Sequence, residues 1–284
     1  MKTALVLQGG GTRCAYTAGV LEEIKNSKIK VDAIYGVSAA ALCGMNFVSN
    51  QTERALPALY KCFSSKKFAR PLNCLTHFSL LNYDVYFKGI LEELPFDEKE
   101  FINSKIEFCA NTTSVIDCSA NYFYKSKVTL DNMYKAIRAS ASLSPLAKAV
   151  RINNIPYVDG GDADPVPYQK AIDDGYDKII VVLTRPIDFR KIIYRGKFEI
   201  FLQNICYFFR PKFRKWSINE SWKINNIQYD EITSLQNRLF VIAPSENIAI
   251  GSVEKDFKKY EYYKNLGIKD FNNRLKQLKK YLNQ

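Results

Sequence analysis

The stretch KIIVVLT at 178–184 opens on a lysine and then runs through five aliphatic residues without a polar break. A strand of that kind has no face to offer water, so it belongs inside a sheet covered on both sides. TALVLQ at 3–8 and VDAIYGVS at 31–38 are similarly apolar, and each leads through glycine or serine into a helical pattern. Ala15, Ala18, Val20, Leu21 and Ile24 mark the apolar face of the first helix, and AAALCGMNFVS begins the second. Apolar strands alternating with helices predict an α/β fold of three layers, a mainly parallel central sheet with helices on both faces.

Further along, IEFCANTT (106–113) and NYFYKS (121–126) read as strands, and LDNMYKAIRASASL (130–143) as a helix running on until Pro145. YVDGG (157–161) is a strand entering a turn, and LFVIAP (239–244) is another strand. A final helix places Phe271, Leu275, Leu278 and Leu282 on one face and Arg274, Lys276, Lys279 and Lys280 off it, the pattern of a packed amphipathic helix. No internal repeat or Pro/Ser-rich linker interrupts the chain. One domain over residues 1–284 is therefore expected, with a basic, less regular portion from about 190.

Composition narrows the compartment and the partners. No apolar run reaches the roughly 18–20 residues that span a bilayer. MKTALVLQGGG reads as a buried strand entering a tight turn, not as a signal peptide. Seven cysteines scattered from Cys14 to Cys206, with no CxxC pair, suggest reduced thiols and a cytoplasmic protein. They offer no zinc-ligand spacing, and His77 is the single histidine.

The net charge of +12 sits in two places. Residues 190–222 carry 8 Lys/Arg against 2 Asp/Glu, and residues 255–284 carry 9 against 3. Two basic patches on an otherwise neutral chain suggest a surface that meets something anionic. No base-reading motif accompanies them, so nucleic acid is not expected.

Three strand ends carry candidate chemistry. In GVSAAAL, Ser38 stands on a strand-to-helix turn between Gly36 and the small residues Ala39 and Ala40, which is what exposing a hydroxyl at a crowded turn requires. The same residues also suit a plain serine-capped helix start. A nucleophile needs a base, and Asp159, followed by Gly160 and Gly161, is a better candidate than His77, although Asp-Gly pairs are also ordinary turn formers. The loop QGGGTR offers backbone N–H groups and a helix N-terminus to a developing negative charge or to a phosphate. It fits neither nucleotide pattern well: Cys14 replaces the last glycine of GxGxxG, and no Gly-Lys-Ser/Thr follows. In a parallel sheet such strand ends share one edge.

Gly9-Gly10-Gly11-Thr12-Arg13-Cys14, Gly36-Val37-Ser38-Ala39-Ala40 and Asp159-Gly160-Gly161 together resemble the patatin-like phospholipase family, with its GGGxRG loop, GxSxG elbow and DGG/A triplet. AYTAGVL, IRASASLSP, TRP and YYKNLG extend the similarity along nearly the whole chain, toward a bacterial branch of the family. The resemblance implies a Ser38–Asp159 dyad that hydrolyses acyl esters of phospholipids or lysophospholipids without metal or cofactor. It places the oxyanion hole at Gly9, Gly10, Gly11, Thr12, Arg13 and Ala39, with Arg13 also helping to hold the loop. Such a dyad needs burial to raise the basicity of the aspartate.

Two positions depart from the family pattern: Ala40 ends the elbow and Cys14 ends the loop where glycine is usual. If either needs a positive φ, the site is distorted by a kcal/mol or more. The alternative is then an impaired relative that binds acyl lipid or a partner at the membrane surface. The mixture of Arg and Lys with Phe201, Phe208, Phe209, Phe213 and Trp216 is a composition that can rest on an anionic membrane, or can fill a core under a charged rim. A peripheral position at the inner face of the membrane fits the first of these.

Overall fold

The computed structural model describes residues 1–65, 93–191, 196–235, 238–251 and 254–283. Strands β1 (Thr3–Leu7), β2 (Ala33–Val37), β3 (Glu107–Ser114), β4 (Ala120–Tyr124), β5 (Val150–Ile152), β6 (Ile155–Asp159), β7 (Lys178–Val182) and β8 (Leu239–Ile242) form an eight-stranded sheet. Its order is β5-β6-β3-β2-β1-β7-β8, with β4 on the other side of β3. Neighbours from β3 to β8 are parallel, whereas β4, β5 and β6 enter antiparallel.

The two-residue strand period divides the core into two. Leu5, Leu7, Ile34, Ile180 and Val182 face one layer, made by α1 (Cys14–Asn26), α2 (Ala39–Val48), α3 (Ala55–Ser64), α4 (Glu98–Asn103), α5 (Leu130–Ser140) and the long C-terminal helix Phe257–Leu282. Ala4, Val6, Tyr35, Ile179 and Val181 face the opposite layer, with Tyr168 and Ala171 of α6 (Tyr168–Asp173) and Tyr229 and Ile232 of the helix Ser221–Ser234. The expected three-layer α/β fold is the one observed. The C-terminal helix begins fourteen residues before Phe271, because Tyr260, Tyr263 and Leu266 continue its buried face. It crosses α1 so closely that a Cβ on Gly267 would lie 2.3 Å from the Tyr16 carbonyl oxygen.

In the portion from about 190 the described residues include three helices, α7 (Lys197–Cys206), α8 (Pro211–Asn219) and α9 (Ser221–Ser234). The C-terminal helix is α10. Among the described residues no helix is long and apolar enough to cross a membrane, and no disulfide joins the described cysteines, of which Cys14, Cys43, Cys62 and Cys109 are buried.

Strand β3 has one feature that positions everything else. It is longer than β2, which pairs with it only up to Val37 opposite Asn111. Beyond that point the same side of β3 is taken by β6, with Asp159 opposite Thr112 and Tyr157 opposite Ser114. The other side carries β4. The ends of β2 and β6 therefore meet head to head along one flank of β3.

Candidate active site

Residue 38 follows the last residue of β2 and precedes α2. Its backbone is held at φ 55°, ψ −133°, outside the regions a non-glycine residue prefers. Such a conformation costs on the order of 1–3 kcal/mol and persists only where the surroundings enforce it. The enforcing contacts are visible: the Ser38 N–H donates to Ser140 Oγ (2.8 Å), and the Ser38 carbonyl accepts from the Ala41 N–H (3.0 Å) as α2 begins. The neighbours Val37 and Ala39 are buried while Ser38 is half-exposed. The turn thus presents the hydroxyl at the mouth of the fold.

That hydroxyl donates to Asp159 Oδ2 at 2.7 Å. The sequence places both residues at strand ends, but the meeting does not come from parallel strands sharing an edge. Asp159 arrives on an antiparallel strand, from the direction opposite to Ser38, and the overshoot of β3 lets the two ends abut. Every atom of Asp159 that can bond is engaged. Oδ1 accepts from the Gly161 N–H (2.8 Å), the carbonyl accepts from Thr113 Oγ1 (2.7 Å), and the N–H donates to the Ser142 carbonyl (3.0 Å). Gly160 has to be glycine, since a Cβ there would stand 2.3 Å from the Asn111 carbonyl oxygen.

Burial pushes the Asp159 carboxyl up to about 7, and the nearby Asp162 adds to the shift. The hydrogen bonds from Ser38 and Gly161, and the charge of Lys191, act in the other direction. Desolvation prevails because the residue is only 5% exposed. The result is a carboxylate poised to exchange a proton near neutrality, which an exposed aspartate does not do.

The glycine loop closes over this pair. A Cβ on Gly9 would fall 2.8 Å from Ser38 Cβ, so only glycine lets the loop pass there. Thr184 Oγ1 donates to the Gly9 carbonyl (2.8 Å), and Thr12 Oγ1 donates to the Gly251 carbonyl (2.7 Å), anchoring the loop at both ends. The N–H groups of Gly11 and Ala39 donate no hydrogen bond among the described residues, whereas the Gly10 N–H is turned to the buried Cys14 sulfur. The Arg13 N–H differs from that expected set: it is already committed to the Gly10 carbonyl (3.2 Å) within the 3-10 turn Gly11–Arg13. Its guanidinium Nε is buried without a partner, and burial together with Arg185 lowers its pKa to about 10. So the main chain of Arg13 shapes the loop, while among the described residues its guanidinium forms no hydrogen bond or ion pair with the dyad.

Cys14 and Ala40, the two departures from glycine, both have ordinary backbones. Cys14 is at φ −66°, Ala40 lies inside α2, and neither is among the residues with positive φ. Ala40 is fully buried in the core. The distortion they threatened is absent. His77 lies outside the described residues.

Sequence reasoning missed Ser140, Ser142 and Ser144. Helix α5 ends at Ser140, three residues short of the expectation, and the chain then hands alternate residues to different partners. Ser140 Oγ accepts from the Ser38 N–H, the Ser142 carbonyl accepts from the Asp159 N–H, and Ser144 Oγ donates to Gln203 Oε1 on α7. The available signal was the two-residue repeat in SASLS, which helical periodicity does not produce.

A serine on a strand–helix elbow, hydrogen-bonded to a buried aspartate beneath a glycine loop, defines an α/β protein of the nucleophile-elbow class. The chain belongs to the patatin-like phospholipase family, whose model matches residues 5–172. It is 28% identical over 190 residues to the uncharacterized protein YjjU of Escherichia coli K12, covering 65% of this chain and 52% of that one. It is 27% identical over 190 residues to lysophospholipase NTE1 of Candida albicans, covering 66% of this chain and 13% of the other. The chain thus spans about half the length of the first of these relatives and a small part of the second. Among solved structures, VipD from Legionella pneumophila matches with a TM-score of 0.54 at 10% identity, covering 97% of this chain and 67% of that one, a likeness of fold.

Proposed function

We propose that this protein is a serine acyl hydrolase that cleaves carboxylic esters of phospholipids or lysophospholipids. The observation carrying the reading is the 2.7 Å hydrogen bond from Ser38 Oγ to an aspartate whose carboxyl is raised to about 7. Family membership and the lysophospholipase relatives support the lipid substrate.

Ser38 Oγ attacks the ester carbonyl carbon as Asp159 Oδ2 takes the hydroxyl proton. The carbonyl oxygen becomes an oxyanion received by the unpaired N–H groups of Gly11 and Ala39, a donor of this kind contributing roughly 2.7–4 kcal/mol. Collapse of the intermediate breaks the bond to the alcohol, which leaves with the proton from Asp159, and an acyl-Ser38 remains. Water then attacks the acyl carbon while Asp159 takes its proton. Collapse returns that proton to Ser38 and frees the fatty acid. A base near its own pKa at neutral pH suits both half-reactions.

Labelling with a fluorophosphonate probe tests this directly. The native chain should label, Ser38→Ala should not, and Asp159→Asn should label far more slowly. A folded native chain that does not label would remove the proposal.

A further inference from the structure

Helix α7 leaves most of its large apolar side chains exposed. Its only fully buried residue is Gln203, whose amide accepts from Ser144 Oγ at 3.2 Å and donates to Ser217 Oγ. The opposite side carries Phe198, Phe201 and Ile205, and the turn beyond it Phe208 and Phe209, all between 57% and 88% exposed. Spacings of three and four residues place them on one stripe. Every exposed phenylalanine among the described residues belongs to this stripe. A soluble helix normally turns such a face to the core, so a contiguous apolar patch of this kind marks a contact surface.

The patch is fixed to the active edge of the sheet. Tyr207 and Phe213 bury beneath it against Val115 and Val158, next to the ends of β3 and β6. Ser144 ties α7 to the segment whose other serines hold Ser38 and Asp159, and Leu143, between Ser142 and Ser144, is itself 41% exposed. Residues 196–219 also carry Lys197, Arg210, Lys212, Arg214 and Lys215 against the single acid Glu199. None of these five cations forms an ion pair among the described residues.

From these features we infer that the α7 face docks the protein on an anionic phospholipid surface, the aromatic stripe entering the headgroup layer and the cations ringing it. Aromatic side chains with a basic rim are what such an interface accommodates. A second copy of the chain is the poorer occupant. An isologous contact would match the stripes but bring the same five cations face to face. The inference rests on the proposed function for its purpose, since docking here brings lipid esters to the edge where Ser38 stands.

The test is flotation of the full chain with vesicles of phosphatidylcholine alone or with phosphatidylglycerol added. Two double variants are compared, Phe208→Ser with Phe209→Ser, and Lys212→Glu with Lys215→Glu. All four side chains are exposed, and thermal melting checks that the folds are intact. The native chain should float with the anionic vesicles, and each double variant should lose affinity by about tenfold or more. A native chain that does not float, or variants that float as well as it does, would overturn the inference. So would self-association that vanishes in the phenylalanine variant without any flotation, which would give the face to a second copy. Labelling by fluorophosphonate without flotation overturns the docking and leaves the hydrolase; flotation without labelling does the reverse.

Discussion

The edge holding Ser38 and the outer face of α7 invert the usual partition of side chains in opposite ways. At the edge, an ionisable group is buried and every polar atom of Asp159 is bonded. On α7 and the turn beyond it, five large apolar side chains face outward while a glutamine is buried. Each arrangement opposes stability taken alone, by desolvation in the first case and by unburied apolar area in the second. Each becomes intelligible once something outside the chain is added, an ester at the edge and a surface under α7. The match to the family model ends at residue 172, so the first region lies within it and the second beyond it.

The sharpest way to separate the two regions is Ser38→Ala. Turnover of a soluble ester should fall by roughly 10³-fold or more, as when other hydrolase nucleophiles are removed, while vesicle flotation persists. Loss of both would show that the regions are one unit. Asp159→Asn should cost nearly as much activity, and it also tests the burial of the carboxyl. The unfolded chain releases this proton near pH 4, whereas the folded chain holds it to about pH 7. Native stability contributed by this group therefore falls as pH rises between those values and levels off above them. Denaturant titrations at pH 5 and pH 8 should find the variant gaining on the native chain at the higher pH. In the native protein, kcat/KM should rise through about pH 7 and then flatten, the profile of a base that must be unprotonated.

Smaller effects sharpen the contrast further. Gly9→Ala sets a methyl 2.8 Å from Ser38 Cβ, and the loop must retreat. Turnover should drop by about 10–100-fold through misplaced oxyanion donors, with the larger change in kcat rather than KM. Smallest is Ser144→Ala, which removes the hydroxyl bonded to Gln203. It should lower unfolding stability by about 1 kcal/mol, measured by denaturant titration.

Much of the edge was legible because its chemistry is local. Strand, glycine turn and helix follow one another within a few residues at 3–21, strand, serine and helix do so at 31–48, and the DGG triplet marks its own turn. What could not be read was non-local. The antiparallel approach of Asp159 depends on β3 outrunning β2, and strand length beyond a partner leaves no trace in composition. The serines at 140, 142 and 144 hid inside an apparent continuation of α5. Helix α7 escaped notice because its apolar face points the wrong way for a core helix. The aromatics grouped with it by sequence then divided, Phe213 entering the core and Phe201, Phe208 and Phe209 remaining outside.

Strand β3 works as a ruler. Val37, the residue before Ser38, stands opposite Asn111 on one strand and Asp159 opposite Thr112 on another, so adjacent marks on a single backbone fix the gap between nucleophile and base. Chain length between residues 38 and 159 does not enter that measurement. The hairpin turn after Ser114 can therefore lengthen or shorten without moving the dyad, whereas one residue added between 111 and 112 would draw it apart by about 3.3 Å.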